Sequence, residues 1–408
     1  MALAVLARDY ARATGADIRV FTVDHGLREG SGKAARQCAQ WCEALGFPVR
    51  ILNWRGDKPA SGVQAAARKA RYRLLADACE ADGLGALVTA HSADDQAETA
   101  FMRLRRGAGA AGLSAMADAS RIASGAGAPV RLLRPLLGFT RAQLTATVEQ
   151  AGQAYLDDPA NDDPAFERVR VRALLAALGE QDLLTVEALS RTAARLRDAD
   201  RRLREEEARL FDQLGGCFYG WGAASIGGAE GAPVLPESMG ALAARLIHAV
   251  SGEDHAPRAE DAWRALRAAA ETGAATLAGA LMMRAGMKRA GGGRIWFMRE
   301  PAALLGRSGV APPAPAPLDG PTLWDGRFVM RPAAEKPLII QPLGRNVAIL
   351  GARRALFDGP DEAVMAAPAL YRDGALIGLA GASFGNGGVF ACEALVRERF
   401  AGEIVRFS

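Results

Sequence analysis

The sequence is poor in cysteine and has no long apolar segment. Five of its 408 residues are cysteine, an odd number, and no two have C-x-x-C spacing. Cys38 and Cys42 lie one helical turn apart, but two small apolar residues on a buried helix face explain this better than half a metal site does. The pattern is not that of a disulfide-stabilised secreted domain. With no run of membrane-spanning length and no signal peptide, it predicts a reduced, cytoplasmic protein without membrane attachment.

Lysine is also scarce. The 50 basic residues comprise 45 arginines and five lysines, and the net charge is only +4. This arginine bias is compatible with phosphate recognition, although charge must be clustered before it binds nucleic acid. The remaining composition, 50% hydrophobic and 24% charged, is ordinary for a globular protein, and 408 residues predict two or three domains.

Helical and strand patterns alternate through the first 180 residues. Such alternation predicts an α/β fold with a parallel, doubly wound sheet that helices cover on both faces. The predicted helices are 1–14, 33–45, 62–81, 93–106, 140–151 and 165–178. The predicted strands are 18–23, 48–54, 86–90 and 131–136. Helix 1–14 carries Leu3, Leu6, Tyr10 and Ala13 on one side.

The densest group of polar side chains lies between His91 and Thr99, directly after a predicted buried strand. Ser92 is the predicted N-cap of the following helix, and Asp95, three residues on, predicts a weak capping box. Asp95 and Glu98 are three residues apart, so the two carboxylates share one face of that helix. Open α/β sheets bind ligands at the carboxyl ends of their strands, where this face lies.

The segment Gly107–Gly112 spells G-x-G-x-x-G, the dinucleotide-binding fingerprint. That motif works only after a strand and at the start of a helix, whose N-terminus then binds the pyrophosphate. Here it follows a helix, so a Rossmann-type site is not predicted. The glycines predict a tight, mobile loop after the helix C-terminus.

His-x-x-Asp-Asp-Gln-x-Glu-Thr, followed by Arg-Gly-x-Gly-x-x-Gly-Leu, resembles the tRNA(Ile)-lysidine synthetases, a family of the PP-loop ATP pyrophosphatase superfamily. The resemblance implies a ligase that uses ATP and Mg²⁺ to join free L-lysine to C2 of the wobble cytidine of a tRNA(Ile) precursor with a CAU anticodon. An adenylated cytidine is the implied intermediate, and a homodimer is possible. A truncated, inactive tRNA-binding homologue is one alternative. A tRNA-thiolating PP-loop enzyme is another, although thiolases usually carry further cysteine motifs.

The resemblance also implies roles for individual residues. The implied catalytic residues are Asp95, Glu98 and Arg71. The residues implied near ATP or metal are Asp24, His25, His91 and Asp94. The implied tRNA contacts are Arg106, Arg168 and Arg172. A carboxylate pair suits the amine step, because lysine must be held and deprotonated before its neutral amine can attack.

Three segments carry these further matches. Asp24-His25-Gly26-Leu27-Arg28 is similar to a segment at the family's nucleotide site, and Ala67–Tyr72 contains the family's Ala-Arg-x-x-Arg-Tyr element. Residues 157–162 resemble the family's Asp-Pro-Ser-Asn signature. In the following Arg-Asn-x-x-Arg element, Val169 replaces the asparagine while Arg168 and Arg172 match.

The family's Ser-Gly-Gly-x-Asp-Ser loop and the strand before it are absent from the sequence. In the superfamily the backbone amides of this loop hold pyrophosphate. We therefore expect a sheet without its first strand and a Mg²⁺ site whose protein ligands are partly missing. We expect that the start of the chain was placed too late or that the chain is a truncated product. A protein that begins at Met1 should then neither bind ATP nor make lysidine.

The rest of the chain predicts two further domains after a catalytic domain over 1–180. Residues 181–310 predict a long connecting helix, 183–214, and a mostly helical middle domain. That domain contains helices 238–251 and 259–272 and a hairpin over 276–284 and 294–299. A stiff proline-rich linker, 311–317, leads to a small β-rich domain over 318–408. The family resemblance implies that the middle domain handles substrate or tRNA and that the C-terminal domain binds tRNA.

Overall fold

The computed structural model groups the chain into two compact units. It describes residues 1–27, 30–56, 58–59, 61–122, 129–156, 163–227, 235, 239–284, 293–306, 315–320, 322–332, 338–380, 382–384, 390–402 and 404–405. The first unit comprises Met1–Ile122 and Val130–Leu203, and the second is built from Arg204–Arg406. The division into a catalytic, a middle and a C-terminal domain stays a prediction.

The first unit contains helices and short strands in alternation, as the sequence pattern predicts. In chain order these are α1 (Ala2–Thr14), β1 (Val20–Asp24), α2 (Ser31–Ala44), β2 (Val49–Asn53), α3 (Val63–Ala81), β3 (Ala86–Val88), α4 (Ala93–Arg105), α5 (Ala110–Leu113), β4 (Ala119–Ile122), β5 (Val130–Leu133), α6 (Arg141–Gln150), α7 (Glu167–Glu180) and α8 (Val186–Gln213). Helix α8 continues past the boundary of the unit.

The predicted parallel sheet forms in two pieces. Strands β1 and β2 pair in parallel, with Val20 opposite Val49, and β3 pairs in parallel with β5, with Leu87 opposite Leu132. The sequence did not predict β4, which lies antiparallel to β5. Among the described residues no strand pairing joins the two pieces, and the sheet without a first strand remains a prediction.

One core nevertheless joins the two pieces of sheet. Residues of α3 pack against residues of both, and Tyr72 of α3 is 1% exposed. The members of this core are Tyr72, Leu75, Ala76, Cys79, Leu87, Ile122, Val130 and Leu132, with Phe21, Val23, Leu52 and Leu84 packed against them. A second, smaller core holds α4 against α7, where Ala97 meets Val171 and Leu175. Packing against α3 therefore holds the strands in place, and the alanine face of α4 holds that helix against α7.

The second unit is richer in strands than its sequence predicts. Its elements are β6 (Cys217–Tyr219), β7 (Ala223–Ile226), α9 (Gly240–Ser251), α10 (Ala259–Thr272), β8 (Ala274–Leu277), β9 (Ala280–Arg284), β10 (Ile295–Arg299), α11 (Pro301–Leu305), β11 (Ala316–Leu318), β12 (Thr322–Trp324), β13 (Phe328–Pro332), β14 (Leu338–Pro342), a 3₁₀ helix (Val347–Leu356), α12 (Asp361–Met365), β15 (Pro368–Arg372), β16 (Ala375–Leu379), β17 (Ala382–Ser383), β18 (Phe390–Ala394), α13 (Val396–Ala401) and β19 (Ile404–Val405).

The predicted hairpin of the middle region exists as the antiparallel pair β9–β10. It belongs to a five-stranded sheet, ordered β6-β7-β10-β9-β8, against which α9 and α10 pack. A second core combines Trp296 of β10 with Phe328 and Leu370 from strands further along the chain. One hydrophobic core therefore draws on segments from both sides of the predicted linker, which falls mostly outside the described residues.

No helix in the described part of the chain is both long and apolar enough to cross a membrane.

Candidate functional site at the start of helix α4

The start of α4 is fixed by the capping box that the sequence predicts. The Ser92 backbone N–H donates to Asp95 Oδ2 at 2.8 Å, and the Asp95 N–H donates to Ser92 Oγ at 3.4 Å. The Ser92 hydroxyl lies 3.1 Å from the same carboxylate oxygen. These reciprocal bonds satisfy the first donors of the helix and hold the Asp95 side chain in place.

Asp95 and Glu98 are brought together, as their spacing predicts, and a single arginine of α7 joins them. Arg168 donates from its Nη2 to Asp95 Oδ1 at 2.8 Å and from its Nε to Glu98 Oε2 at 2.5 Å. The two carboxylates differ in access to solvent, because the Asp95 side chain is 21% exposed and that of Glu98 only 2%. Only Asp95 is therefore open to a ligand as the structure stands.

Glu98 is surrounded by guanidinium groups. Arg172, one turn beyond Arg168, donates from Nε to Glu98 Oε1 at 2.8 Å, so the two arginines point the same way, as predicted. Arg141, at the start of α6, forms a longer ion pair of 3.6 Å with the same oxygen. A buried carboxylate is expensive unless it is paired and hydrogen-bonded, and these contacts stabilise its charged form.

Asp94 connects the starts of two helices. Its Oδ2 accepts a 2.6 Å hydrogen bond from the backbone N–H of Arg141, at the first residue of α6. Beside it, the Phe139 carbonyl accepts from the Ala93 N–H at 2.8 Å. Thr140 caps α6 as predicted, in a capping box with Gln143. Asp94 therefore positions α6 against α4, and its place near ATP or metal stays a prediction.

His91 lies beside this group. Its Nδ1 is 2.9 Å from the Thr89 hydroxyl. Burial, together with the charge of nearby arginines, lowers the pKa of the imidazole to about 4, against the opposing effect of the Asp95 carboxylate. An imidazole with this pKa is uncharged near neutral pH and can either accept or donate a hydrogen bond.

Arginine side chains crowd the same end of the sheet. Arg134 is 4% exposed, and its Nη1 donates to the Ala117 carbonyl at 2.7 Å. Burial lowers the pKa of Arg68, and its neighbours Arg71, Arg168 and Arg134 lower it too. These like charges share one region, and such a concentration of positive charge favours a polyanionic ligand.

Asp24 and His25 end strand β1. The Asp24 carboxylate accepts from the Gly26 N–H at 2.9 Å and from the Ser31 hydroxyl at 2.7 Å, and these bonds lower its pKa. Burial lowers the pKa of His25, and Arg71 lowers it further. Within the described residues His25 Nδ1 is buried without a hydrogen-bond partner. An orphaned polar atom of this kind is a candidate for contact with a ligand or water.

The glycine-rich segment after α4 is held by side chains of that helix. Gln96 donates from Nε2 to the Met116 carbonyl and accepts from the Met116 N–H through Oε1, both at 2.7 Å. Arg103 donates to the carbonyls of Gly112 and Ala115 at 2.8 and 2.9 Å. The segment follows a helix, as the sequence indicates. It is not a simple loop, because residues 110–113 form the short helix α5 and the turn after it is hydrogen-bonded to side chains of α4.

Arg106 is the most accessible of the predicted tRNA contacts. Its side chain is 59% exposed and pairs with Glu167 at 2.7 Å, and the adjacent Arg105 pairs with the same carboxylate. Exposed pairs of this kind are weak, so both guanidiniums remain accessible to phosphate. The predicted signature over 157–162 lies outside the described residues.

Comparisons with known proteins bear on the family of this chain. Residues 1–178 match the model of the PP-loop domain family. The chain is 44% identical over 267 residues to the tRNA(Ile)-lysidine synthase of Novosphingobium aromaticivorans, covering 64% of this chain and 77% of the relative. It is 39% identical over 304 residues to that of Methylobacterium nodulans, covering 71% and 84%. The chain belongs to the tRNA(Ile)-lysidine synthase family.

Other matches are shorter. The chain is 49% identical to the tRNA(Ile)-lysidine synthase of Bradyrhizobium sp. strain BTAi1 over 186 residues, 45% of this chain and 51% of the relative. It thus spans about half the length of that relative. Among solved structures, a U34-tRNA thiolase from Methanococcus maripaludis has a TM-score of 0.39 and 16% identity over 48% of this chain and 66% of that one.

Three residues of the site were not predicted from the sequence. Arg141 lies far from Glu98 in the sequence, so no local spacing connects the two residues. The one available signal is the Thr140 cap, which marks the start of α6 where Arg141 lies. Gln96 could have been noticed within the dense polar segment, but nothing in the pattern identifies its backbone partner at Met116. Arg134 has no sequence signal that separates it from the 44 other arginines.

Proposed function

We propose that the chain carries the active site of a tRNA(Ile)-lysidine synthase. The C2 oxygen of the wobble cytidine, in a tRNA(Ile) precursor with a CAU anticodon, would attack the α-phosphate of ATP and become adenylated, with pyrophosphate as the leaving group. The ε-amine of free L-lysine would then displace AMP and form the new carbon–nitrogen bond. The observation that carries this proposal is the pair of carboxylates at the start of α4, bridged by Arg168, in a member of this family.

The two carboxylates would have different tasks. An ionised carboxylate has about four acceptor positions, and in the described structure Asp95 uses three, two for Ser92 and one for Arg168. The remaining acceptor position is on Asp95 Oδ1, and the Asp95 side chain is more exposed than that of Glu98. Asp95 would accept a hydrogen bond from the lysine ammonium there and take its proton. Glu98 would fix Arg168, which in turn holds Asp95, and Arg172 would support Glu98 from the next turn of α7.

The arginine-rich region around His91 would bind the phosphate groups of ATP. The partly exposed Arg68 and Arg71 lie near enough to His91 to lower the pKa of its imidazole, and the buried Arg134 adds positive charge to the same region. Guanidinium groups suit phosphate because they offer several donors in a fixed plane. The orphaned Nδ1 of His25 would provide one more polar contact for the nucleotide.

The described residues do not by themselves form a magnesium site. No group of three or more His, Cys, Asp and Glu in the described part of the chain is placed to hold a metal ion. The carboxylates of Asp24, Asp94 and Asp95 each accept hydrogen bonds from backbone amides. Magnesium prefers carboxylate and phosphate oxygens that are free to complete an octahedron. The use of Mg²⁺ therefore remains a prediction of the family resemblance.

The test is incorporation of labelled lysine into a tRNA(Ile) precursor in the presence of ATP and Mg²⁺. We expect Asp95→Asn and Glu98→Gln each to reduce the rate by about a hundredfold or more, on the scale of a lost acid–base group. Glu180→Gln is the matched control, because Glu180 is an exposed residue at the end of α7. It should retain the rate of the unsubstituted chain.

Near-normal rates in both Asp95→Asn and Glu98→Gln would remove the pair from the mechanism. If the unsubstituted chain binds tRNA and forms no lysidine, the inactive tRNA-binding homologue is the correct alternative. Transfer of sulfur to the tRNA instead of lysine would identify a thiolase.

A further inference from the structure

The three guanidinium groups at Glu98 are not held equally. Arg168 and Arg172 donate directly from Nε at 2.5 and 2.8 Å, and their side chains are 36% and 30% exposed. Arg141 approaches only to 3.6 Å, beyond hydrogen-bond distance, and its side chain is 45% exposed. At that distance and exposure the attraction is weak. Arg141 is therefore the cation of this group that leaves Glu98 at the lowest cost.

The side chain of Arg141 is not what holds α6 in place. The structural contact of this residue is its backbone N–H, which donates to Asp94, and the neighbouring contact joins the backbone atoms of Phe139 and Ala93. The cap of α6 is the Thr140 side chain. Any residue other than proline at position 141 keeps these bonds. The guanidinium is thus available for a role at Glu98 that is separate from folding.

The charges around Glu98 determine what this role is. The carboxylates of Asp95 and Glu98 are paired with the guanidiniums of Arg168, Arg172 and, more loosely, Arg141. Arg68, Arg71 and Arg134 add positive charge close by. A substrate ammonium that enters this region meets carboxylates already balanced by cations, so its affinity depends on displacing one of them.

We propose that Arg141 is a displaceable counter-ion at Glu98, which a substrate ammonium replaces when it enters the site. Glu98 Oε1 is shared by Arg172 and Arg141, and movement of Arg141 frees one side of that oxygen without breaking a hydrogen bond. Arg141 therefore competes with a substrate ammonium for Glu98 and limits the affinity of the site for an amine. The proposal rests on the proposed function in taking a primary amine as the substrate.

The experiment measures binding of L-lysine to the full chain by calorimetry, without ATP or tRNA, so that chemistry does not enter. Arg141→Met removes the charge and keeps most of the length of the side chain. We expect it to lower the Kd for lysine by about three- to fivefold, the scale of a weak exposed ion pair. Norleucine, which lacks the ε-amine, should bind no more tightly to this variant than to the unsubstituted chain.

Two further variants separate this role from a general effect of charge. Arg172→Met removes a directly hydrogen-bonded guanidinium from the same oxygen, and its Kd for lysine should not fall. Arg141→Lys keeps a cation at the position and should bind lysine as the unsubstituted chain does. The midpoints of thermal unfolding of the two Arg141 variants should lie within about 2 °C of each other, because the backbone contacts remain.

The proposal is overturned if Arg141→Met leaves lysine affinity unchanged or weakens it, or if neither form binds lysine. It is equally overturned if Arg172→Met or Arg141→Lys tightens binding as much as Arg141→Met does. The proposed function is judged separately. Absence of lysidine formation together with the expected shift in lysine affinity would remove the reaction and leave the counter-ion in place.

Discussion

Both units contain arginines paired with carboxylates, but the two networks differ in how far they are exposed to solvent. In the first unit, Arg168 and Arg172 bind carboxylates at the start of α4, and about a third of each side chain stays exposed. In the second unit, Arg327 is 1% exposed and donates to Asp325 at 2.7 Å and to the Ala366 carbonyl at 2.7 Å. Arg299 shares the Asp325 carboxylate at 3.2 Å.

This difference indicates that arginine–carboxylate pairs serve two purposes in the protein. Arg327 joins three segments of the second unit, because it also lies 3.4 Å from the Gly222 carbonyl, and no part of it is accessible to a ligand. Such a network fixes a fold, and loss of one member leaves buried groups without partners. The network at Glu98 keeps its guanidiniums partly in solvent, so they can exchange partners when a charged substrate arrives. The first network is suited to binding and the second to stability.

The largest expected effect is on stability. Arg327→Ala should lower the free energy of unfolding of the second unit by about 3–5 kcal/mol, because it leaves Asp325 buried without its main partner. Denaturant unfolding of the full chain measures this. The control is Arg331→Ala, which removes an exposed ion pair of 3.7 Å with Glu393 and should cost less than about 1 kcal/mol. Equal losses in the two variants would refute the structural role of the buried network.

The second effect is on activity. Arg168→Met should reduce lysidine formation by about a hundredfold, because Asp95 and Glu98 lose the group that aligns them. The free energy of unfolding should change by only about 1 kcal/mol, since the partly exposed site admits water. Arg170→Met is the control on the same helix, because the hydrogen bonds of Arg170 in the described part of the chain go to the carbonyls of Pro164 and Ala165. A loss of stability as large as that of Arg327→Ala would erase the distinction between the two networks.

The third effect is on the pH dependence of the free energy of unfolding. It compares one histidine from each unit. Burial lowers the pKa of both His91 and His248 to about 4. The unfolded chain binds a proton on each with a pKa near 6.5, so stability should fall as the pH drops from about 6.5 to about 4. Each group contributes at most about 1.4 kcal/mol per pH unit. Unfolding measured across this range should show a smaller slope in His91→Gln and in His248→Gln.

Ligand binding distinguishes these two histidines. Phosphate groups near His91 should raise the pKa of its imidazole, because an opposite charge favours the protonated form. The pKa of His248 should not move. Titration of the imidazole resonances by NMR, with and without ATP, tests this. An equal shift in both histidines would contradict the assignment of ligand binding to the first unit.

Local features of the site were predictable because they depend on neighbouring residues. The Ser92–Asp95 capping box, the Thr140 cap and the shared direction of Arg168 and Arg172 all follow from spacing along one helix. Spacing could not reveal that the two arginines meet Glu98, because that contact depends on how α7 packs against α4. Whether they also bind tRNA stays a prediction.

Periodicity also failed to identify which helix face is buried. Leu6 and Tyr10 lie on the predicted apolar side of α1, yet they are 39% and 61% exposed, and Ala2 and Val5 are buried instead. In the second unit, β6 and β8 have three and four residues, which is too short for an alternating pattern to be recognised. Pairing between such strands is set by distant parts of the chain, and a local pattern does not contain it.

The smallest expected effect concerns RNA binding, and it tests whether the partly exposed arginines of the first unit contact phosphate. If Arg106 contacts a tRNA phosphate, Arg106→Ala should reduce the slope of log affinity against log salt by about one unit or less, because Glu167 already neutralises part of its charge. Arg168→Ala should change that slope only if its guanidinium leaves Asp95 and Glu98 for the RNA. Binding of tRNA(Ile) measured between low and moderate salt separates the two cases. A change with Arg106→Ala alone would confine RNA contact to the exposed arginines. A change with Arg168→Ala alone would show that the network at Glu98 opens to phosphate as well as to an amine.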